Sequence, residues 1–297
     1  MKPLIFSHNA SQTLVSTIAE KINGAVVQIE SREFPDGETY IRIARDCSNQ
    51  NAIIIADLHQ PNAKILPLIF LCDTLKDLGI KTITLVAPYL PYMRQDKQFK
   101  NGEGITSRFF SNLISQHIDH LITIDPHLHR YNSLDEIYSI SSTVVHATSS
   151  IAQWIKNNIK QPLIVGPDSE SEQWAKTTAE IVDCPYIVLQ KERMGDRNVL
   201  VSDPKAGHYK DHIPVLIDDI ISTGKTMIKT AEALIKNGLS APVCIGVHAL
   251  FSDDAYNEMK QADINNIVTC TTVPHESNAI DIASLLATAI LAKLKLQ

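Results

Sequence analysis

Short apolar runs alternate with helix-periodic segments along nearly the whole chain, and this rhythm limits the fold more than any single motif does. In the first half, residues 4–6, 25–30, 40–43, 52–56, 82–87 and 121–124 read as strands. Helical spacing appears between them at Leu14, Val15, Ile18, Ala19 and Ile22, then over 65–78 and 107–114. The second half repeats the pattern, with strands over 163–165, 186–189, 215–217, 243–249 and 267–271. Helices are predicted over 150–159, 172–182, 227–238 and 254–261, with an amphipathic terminal helix over 279–296. Alternation of this kind argues for an α/β protein whose sheets are mostly parallel. Apolar periodicity lapses over 141–148, which puts a boundary between residues 1–145 and 146–297, the second part including the terminal helix. The halves share length and element order. A duplication is compatible with that, although residue-level similarity does not show it.

At 297 residues the chain is long enough for two cores. Apolar residues make up 44% and charged residues 20%, which excludes extensive disorder. A net charge of −6 without a long basic run argues against a nucleic-acid partner. The five cysteines are scattered and form no C-x-x-C pair, so they read as reduced thiols of a cytoplasmic protein. The start, MKPLIFSHNAS, lacks a signal-peptide core, and no run reaches membrane-spanning length, so no membrane role is expected.

The most informative stretch is residues 213–238, IPVLIDDIISTGKTMIKTAEALIKNG. An apolar run over 215–217 ends in Asp218 and Asp219, and Ser222, Thr223, Gly224, Lys225 and Thr226 follow before a helix. Backbone N–H groups, hydroxyls and the positive end of a helix dipole suit a phosphate there. The carboxylates suit sugar hydroxyls or a divalent metal. A P-loop is excluded because its first glycine would fall at position 219, which is Asp219.

Other chemistry-bearing clusters also follow strand ends, where open α/β sheets bind ligands. They are Pro88 to Asp96 with Arg94 and Gln95, Asp125-Pro126-His127-Leu128-His129, Gly166-Pro167-Asp168, and Lys191 with Arg193. The last pair opens a charged segment over 191–210, read as a mobile loop or ribbon. Phe34-Pro35-Asp36-Gly37-Glu38 is a turn-forming cluster. Each has a plainer reading: a hairpin turn at Asp36-Gly37, a polar loop at Arg94 to Asp96, a turn at His127, a helix cap at Asp168, and a solvated face at Lys191 and Arg193.

Together, in this order, these motifs resemble ribose-phosphate pyrophosphokinase, the phosphoribosyl-pyrophosphate synthetase family, over nearly the whole chain. The resemblance implies two type I phosphoribosyltransferase-like domains. It implies transfer of the β,γ-diphosphoryl group of ATP to the C1 hydroxyl of ribose 5-phosphate, giving 5-phosphoribosyl 1-diphosphate and AMP. On the residues, it implies that Asp218 and Asp219 hold the ribose hydroxyls and that Ser222, Thr223, Gly224, Lys225 and Thr226 hold the 5-phosphate. Phe34, Asp36 and Glu38 contact adenine, commonly from a neighbouring subunit, which implies a homo-oligomer. Arg94, Gln95 and Asp96 bind ATP. His127 and Asp168 help place Mg²⁺, and Lys191 and Arg193 steady the transferring group. The chain departs from the best-known bacterial pattern at Ser222, at Lys225 and over 169–172, as a divergent branch would. Two other classes compete. A phosphoribosyltransferase that consumes the diphosphate is opposed by the clusters at 34–38 and 94–96. A non-catalytic regulatory homologue is opposed by Lys191, Arg193, His127 and Asp168, whereas Ser222 and Lys225 leave room for it.

Overall fold

The structure is a computed structural model and describes residues 2–167, 171–194, 197–201 and 208–295. Contacts divide the chain into two units, one of residues 1–145 with 283–297 and one of residues 146–282.

The first unit runs β1 (Leu4–His8), α1 (Gln12–Ile22), β2 (Ala25–Val26), β3 (Glu30–Glu33), β4 (Thr39–Arg42), β5 (Asn51–Ala56), α2 (Asn62–Asp77), β6 (Thr82–Ala87), α3 (Thr106–Ser115), β7 (His120–Ile124) and β8 (Ser141–Val145). Its six-stranded sheet has the order β2-β1-β5-β6-β7-β8, all parallel, and β3 and β4 form a separate antiparallel hairpin. The second unit runs α4 (Thr148–Asn158), β9 (Pro162–Gly166), α5 (Glu172–Val182), β10 (Tyr186–Val188), β11 (Gln190–Met194), β12 (Arg197–Val201), β13 (Ile213–Ile221), α6 (Lys225–Lys236), β14 (Val243–Ala249), α7 (Ala255–Gln261), β15 (Asn266–Cys270) and β16 (Asn278–Ile280). Its sheet, β10-β9-β13-β14-β15-β16, is also parallel, and β11 and β12 form an antiparallel ribbon. After β16 the chain forms α8 (Ala283–Leu294).

The two units repeat one topology. In each, a strand, helix and strand precede a two-stranded ribbon, and the main sheet is then extended in the opposite direction. Even the register corresponds: Leu4 pairs with Ala52 as Leu163 pairs with Pro214, and Pro-Leu-Ile occurs at 3–5 and at 162–164.

Central strands are buried along most of their length, as parallel strands with both faces covered must be. Leu4, Phe6, Ile54, Leu68, Leu85 and Leu121 anchor the first core, and Leu163, Leu216, Met227, Leu234 and Met259 the second. Each fully buried aliphatic side chain contributes roughly 1.5–3 kcal/mol relative to exposure.

Several sequence expectations are corrected. Residues 141–145, expected to be a lapse between domains, are strand β8. It lies at the sheet edge with half-buried residues, so its apolar pattern is weak. Residues 25–30 hold only the short β2 before the hairpin begins at Glu30. The terminal helix starts at Ala283, after β16, and it belongs to the first unit, where it packs on α1, β7 and β8 and buries Leu286, Ala287 and Ile290. Helix α4, which follows the first unit's last strand, packs instead on α5 of the second. Each repeat therefore hands its last helix to the other unit.

Candidate functional site

In the second unit the chain reverses its direction of sheet growth between β9 and β13, the switch point at which open α/β sheets bind ligands. Strand β13 leads into that crevice. It does not stop at Ile217, as expected, but continues through Asp218 and Asp219 to Ile221, because pairing with β14 persists from Asp218 opposite Gly246 to Ile221 opposite Ala249. Both carboxylates are therefore held on a strand, half-buried, and Asp218 Oδ1 accepts from the Asp219 N–H at 2.9 Å.

Two glycines shape the loop that follows, one within it and one on the neighbouring strand β14. Gly224 is the N-cap of α6, buried, with φ +66, a left-handed turn that glycine adopts without strain. It supplies no capping side chain, so no side-chain cap competes with an anion for the first N–H groups of α6. Helices α2, α3, α4, α5 and α7 likewise lack a side-chain cap, whereas α1 is capped by Ser11, whose hydroxyl accepts from the Leu14 N–H at 3.2 Å, so what marks α6 is the left-handed glycine at its start. A Cβ at Gly224 would lie 2.7 Å from both Cγ and Sδ of Met259 on α7. A Cβ at Gly246 would lie 2.7 Å from Cγ1 and Cδ1 of Ile221. The Leu250 N–H donates to the Ile221 carbonyl at 3.0 Å, and the Ser252 N–H to the Ser222 carbonyl at 3.2 Å. Thr223, Lys225 and Thr226 are exposed, so the bulk of Lys225 points away from the seat that Gly224 occupies.

The first unit keeps a trace of the same crevice. Five residues beyond Ala52 is Asp57, the register counterpart of Asp219. Here the carboxylate is consumed internally: Lys64 Nζ on α2 lies 2.9 Å from Asp57 Oδ2, both mostly buried, and the His59 N–H donates to Oδ1 at 3.0 Å. His8 Nε2 lies 2.9 Å from the Lys64 carbonyl, and burial pushes the His8 pKa down.

The other candidates in this unit follow the carboxyl ends of its strands. Phe34, Asp36 and Glu38 form the turn of the β3–β4 hairpin, closed by the Phe34 N–H to the Glu38 carbonyl at 2.8 Å and by Gly37 at φ +88. Arg32 stacks over the rings of Phe34 and Tyr40 at 4.7 and 4.4 Å, leaving Phe34 39% exposed and presented to solvent. Arg94 is exposed after β6. Gln95 and Asp96 are drawn inward instead: Gln95 Oε1 accepts from Thr106, and Asp96, its side chain 7% exposed, faces Arg130 Nε at 3.7 Å. After β7, Asp125 and His127 take φ +38 and +47, and His127 Nδ1 lies 3.1 Å from Nε2 of His129.

Lys191 and Arg193 fall two residues apart in β11, opposite Leu200 and Asn198 of β12, so the charged segment begins as a ribbon. This ribbon occupies the same place in its repeat as the β3–β4 hairpin does in the other. Asp168 lies outside the described residues.

The family model for the N-terminal domain of ribose phosphate pyrophosphokinase matches residues 3–117, and that for the phosphoribosyl transferase domain matches residues 133–284. A ribose-phosphate pyrophosphokinase from Methanobrevibacter smithii is 31% identical over 97% of this chain and 99% of its own. The chain belongs to the ribose-phosphate pyrophosphokinase family. A second relative of the same name, from Sulfurisphaera tokodaii, is 29% identical over 95% of this chain and 97% of its own. The crystal structure of phosphoribosylpyrophosphate synthetase from Mycobacterium smegmatis covers 100% of both chains with a TM-score of 0.88 at 23% identity, a shared fold. The two phosphoribosyltransferase-like domains expected of this family are thus present.

Met259, Gly246 and Ile221 went unnoticed in the sequence. They are apolar or small and carry no chemical signature. Their importance lies in contacts made across 25 to 35 residues of chain, between 221 and 246 and between 224 and 259.

Proposed function

We propose that this chain transfers the β,γ-diphosphoryl group of ATP to the C1 hydroxyl of ribose 5-phosphate. The observation that carries this reading is the β13–α6 crevice, a carboxylate pair joined to an uncapped left-handed turn, in a chain of this family. In this reading Asp218 and Asp219 accept from the ribose 2- and 3-hydroxyls. Ser222, Thr223, Gly224, Lys225 and Thr226 hold the 5-phosphate with hydroxyls, N–H groups and one cation. Phe34 stacks on adenine, while Asp36 and Glu38 accept from it. Arg94, Gln95 and Asp96 serve the ATP side, although the inward bonds of Gln95 and Asp96 make Arg94 the residue most available to a phosphate.

The C1 oxygen attacks the β-phosphorus in line, the bond from that phosphorus to the bridging oxygen of the α-phosphate breaks, and AMP leaves with the electron pair. The hydroxyl proton is released as the new ester forms. Such a displacement needs positioning and neutralisation of phosphoryl charge more than covalent help from the protein. Lys191 and Arg193 supply positive charge to the transferring group. Asp218 and Asp219 are hard oxygen donors of the kind Mg²⁺ takes together with phosphate oxygens and water, and Asp168 adds a third carboxylate. His127, a nitrogen donor, is a softer ligand than these carboxylates. When bound, Mg²⁺ would neutralise the triphosphate.

We also infer self-association, supported by the exposed apolar side chains Leu66 and Phe70 on α2 and Phe109 and Leu113 on α3. The deciding assay follows AMP release from ATP and Mg²⁺ with and without ribose 5-phosphate. AMP should form in proportion to the sugar, and its absence across a range of Mg²⁺ and phosphate concentrations would sink the enzymatic reading.

A further inference from the structure

The loop over 222–226 touches a second element, helix α7, on its buried side. Met259 on α7 is fully buried, and its Cγ and Sδ fill the space where a Cβ of Gly224 would be. The carbonyl of Ala255, one turn earlier on α7, also faces that position, 3.6 Å from the same point. The segment leading into α7 is bound to the loop by the Ser252 N–H to the Ser222 carbonyl at 3.2 Å. Helix α7 is held in turn by rings: Tyr256 lies 5.0 Å from Phe251 and 4.7 Å from His275, centroid to centroid, and Lys260 Nζ sits 4.2 Å over Tyr256.

We propose that Met259 is a positioning residue for sugar-phosphate binding, acting through Gly224; this rests on reading 222–226 as the ribose-5-phosphate loop. A left-handed glycine has the widest conformational freedom of any residue, so a turn built on it keeps its shape only if something blocks the alternatives. Met259 does so from below. The unbranched thioether adapts to a close glycine contact better than a β-branched side chain. With Met259 in place, Gly224 cannot sink into the core, and the first N–H groups of α6 keep a common orientation. Without it, a void opens under the turn, and the glycine is the residue best able to relax into it. The contact lies under the loop read as the sugar-phosphate seat, so its loss should act first on that ligand.

The test uses the full chain with Met259→Ala and Met259→Leu, measuring KM for ribose 5-phosphate, KM for ATP, kcat, and calorimetric affinity for ribose 5-phosphate and for inorganic phosphate. For Met259→Ala, KM and Kd for ribose 5-phosphate should rise about tenfold, as a sub-ångström misplacement of binding groups allows, while kcat and KM for ATP stay within about twofold. Met259→Leu should restore most of the affinity. A Met259→Ala protein that is destabilised yet binds ribose 5-phosphate like wild type overturns the proposal and leaves Met259 as core packing only. If the alanine variant does not fold, Met259→Val carries the same comparison. A wild-type chain that forms no AMP defeats the reading of the site instead. The seat is then judged on phosphate binding alone, where equal affinities of wild type and Met259→Ala overturn it.

Discussion

Gly246→Ala isolates the packing on which the acidic strand depends. Gly246 lies in the middle of β14, opposite Asp218, where neighbouring strands leave the backbone little room to move. The added methyl would sit 2.7 Å from Cγ1 and Cδ1 of Ile221, inside any contact distance two carbons tolerate, and Ile221 is itself 2% exposed. Overpacking of this kind costs about 1–3 kcal/mol. Replacing glycine by alanine returns about 0.4–1 kcal/mol through the unfolded chain. The net loss should therefore be about 1–2 kcal/mol, a sign opposite to the usual benefit of alanine over glycine in a strand. Ile221→Ala removes both clashing atoms and alone should cost about 2–5 kcal/mol. In the double variant the new methyl partly fills the void, so the two changes should be non-additive by about 1 kcal/mol or more in the favourable direction. Urea unfolding at 25 °C, followed by tryptophan fluorescence, reads the correct unit, because the two tryptophans, Trp154 on α4 and Trp174 on α5, both lie in the second one. Additive losses, or a stabilised Gly246→Ala protein, would refute the reasoning. Because Ile221 directly precedes Ser222, the single variant should also raise KM for ribose 5-phosphate.

Two further outcomes follow from the chemistry of particular side chains. His120 is 3% exposed, with Nδ1 2.6 Å from Ser141 Oγ and Nε2 3.0 Å from Thr143 Oγ1. Burial first, and Lys293 second, push its pKa from 6.5 down to about 4. The folded state thus favours neutral imidazole while the unfolded chain takes up a proton, so this contribution is complete above pH 6.5 and is lost as pH falls towards 4. About 3 kcal/mol should disappear across that window, and His120→Gln should flatten the slope; parallel stability curves would contradict the assignment. For the ribbon, Lys191→Ala and Arg193→Ala should each lower kcat about a hundredfold with a much smaller change in KM for ATP, and unchanged turnover would remove their assigned role.

How much of this could be read from the sequence depends on whether the signal is local. The α/β class was legible because a buried parallel strand needs a run of apolar residues, and 52–56 and 82–87 supply it directly. The acid pair and the small-residue loop were legible for the same reason, since their chemistry lies in adjacent residues. The end of β13 was not. Two carboxylates normally mark a strand's exit, and only pairing with β14 keeps Asp218 to Ile221 extended. Strand β8 was missed because an edge strand buries too little to need an apolar pattern. The inward commitment of Asp96 depends on Arg130, 34 residues on, and no spacing rule encodes it. Likewise, the pairing of Asp57 with Lys64 on α2 leaves no mark in the sequence.

The exchanged helices set an order on biosynthesis. Helix α4 is made before the strands of the second unit, so that unit finds its cover already waiting. The first unit has no such provision. All six strands of its sheet leave the ribosome by Val145, yet the face of α1 that receives α8 stays bare until Ala283–Leu294 has been made. The half that is translated first is therefore the half completed last, and after its sheet is made the face of α1 that takes α8 stays uncovered for nearly half the length of the chain.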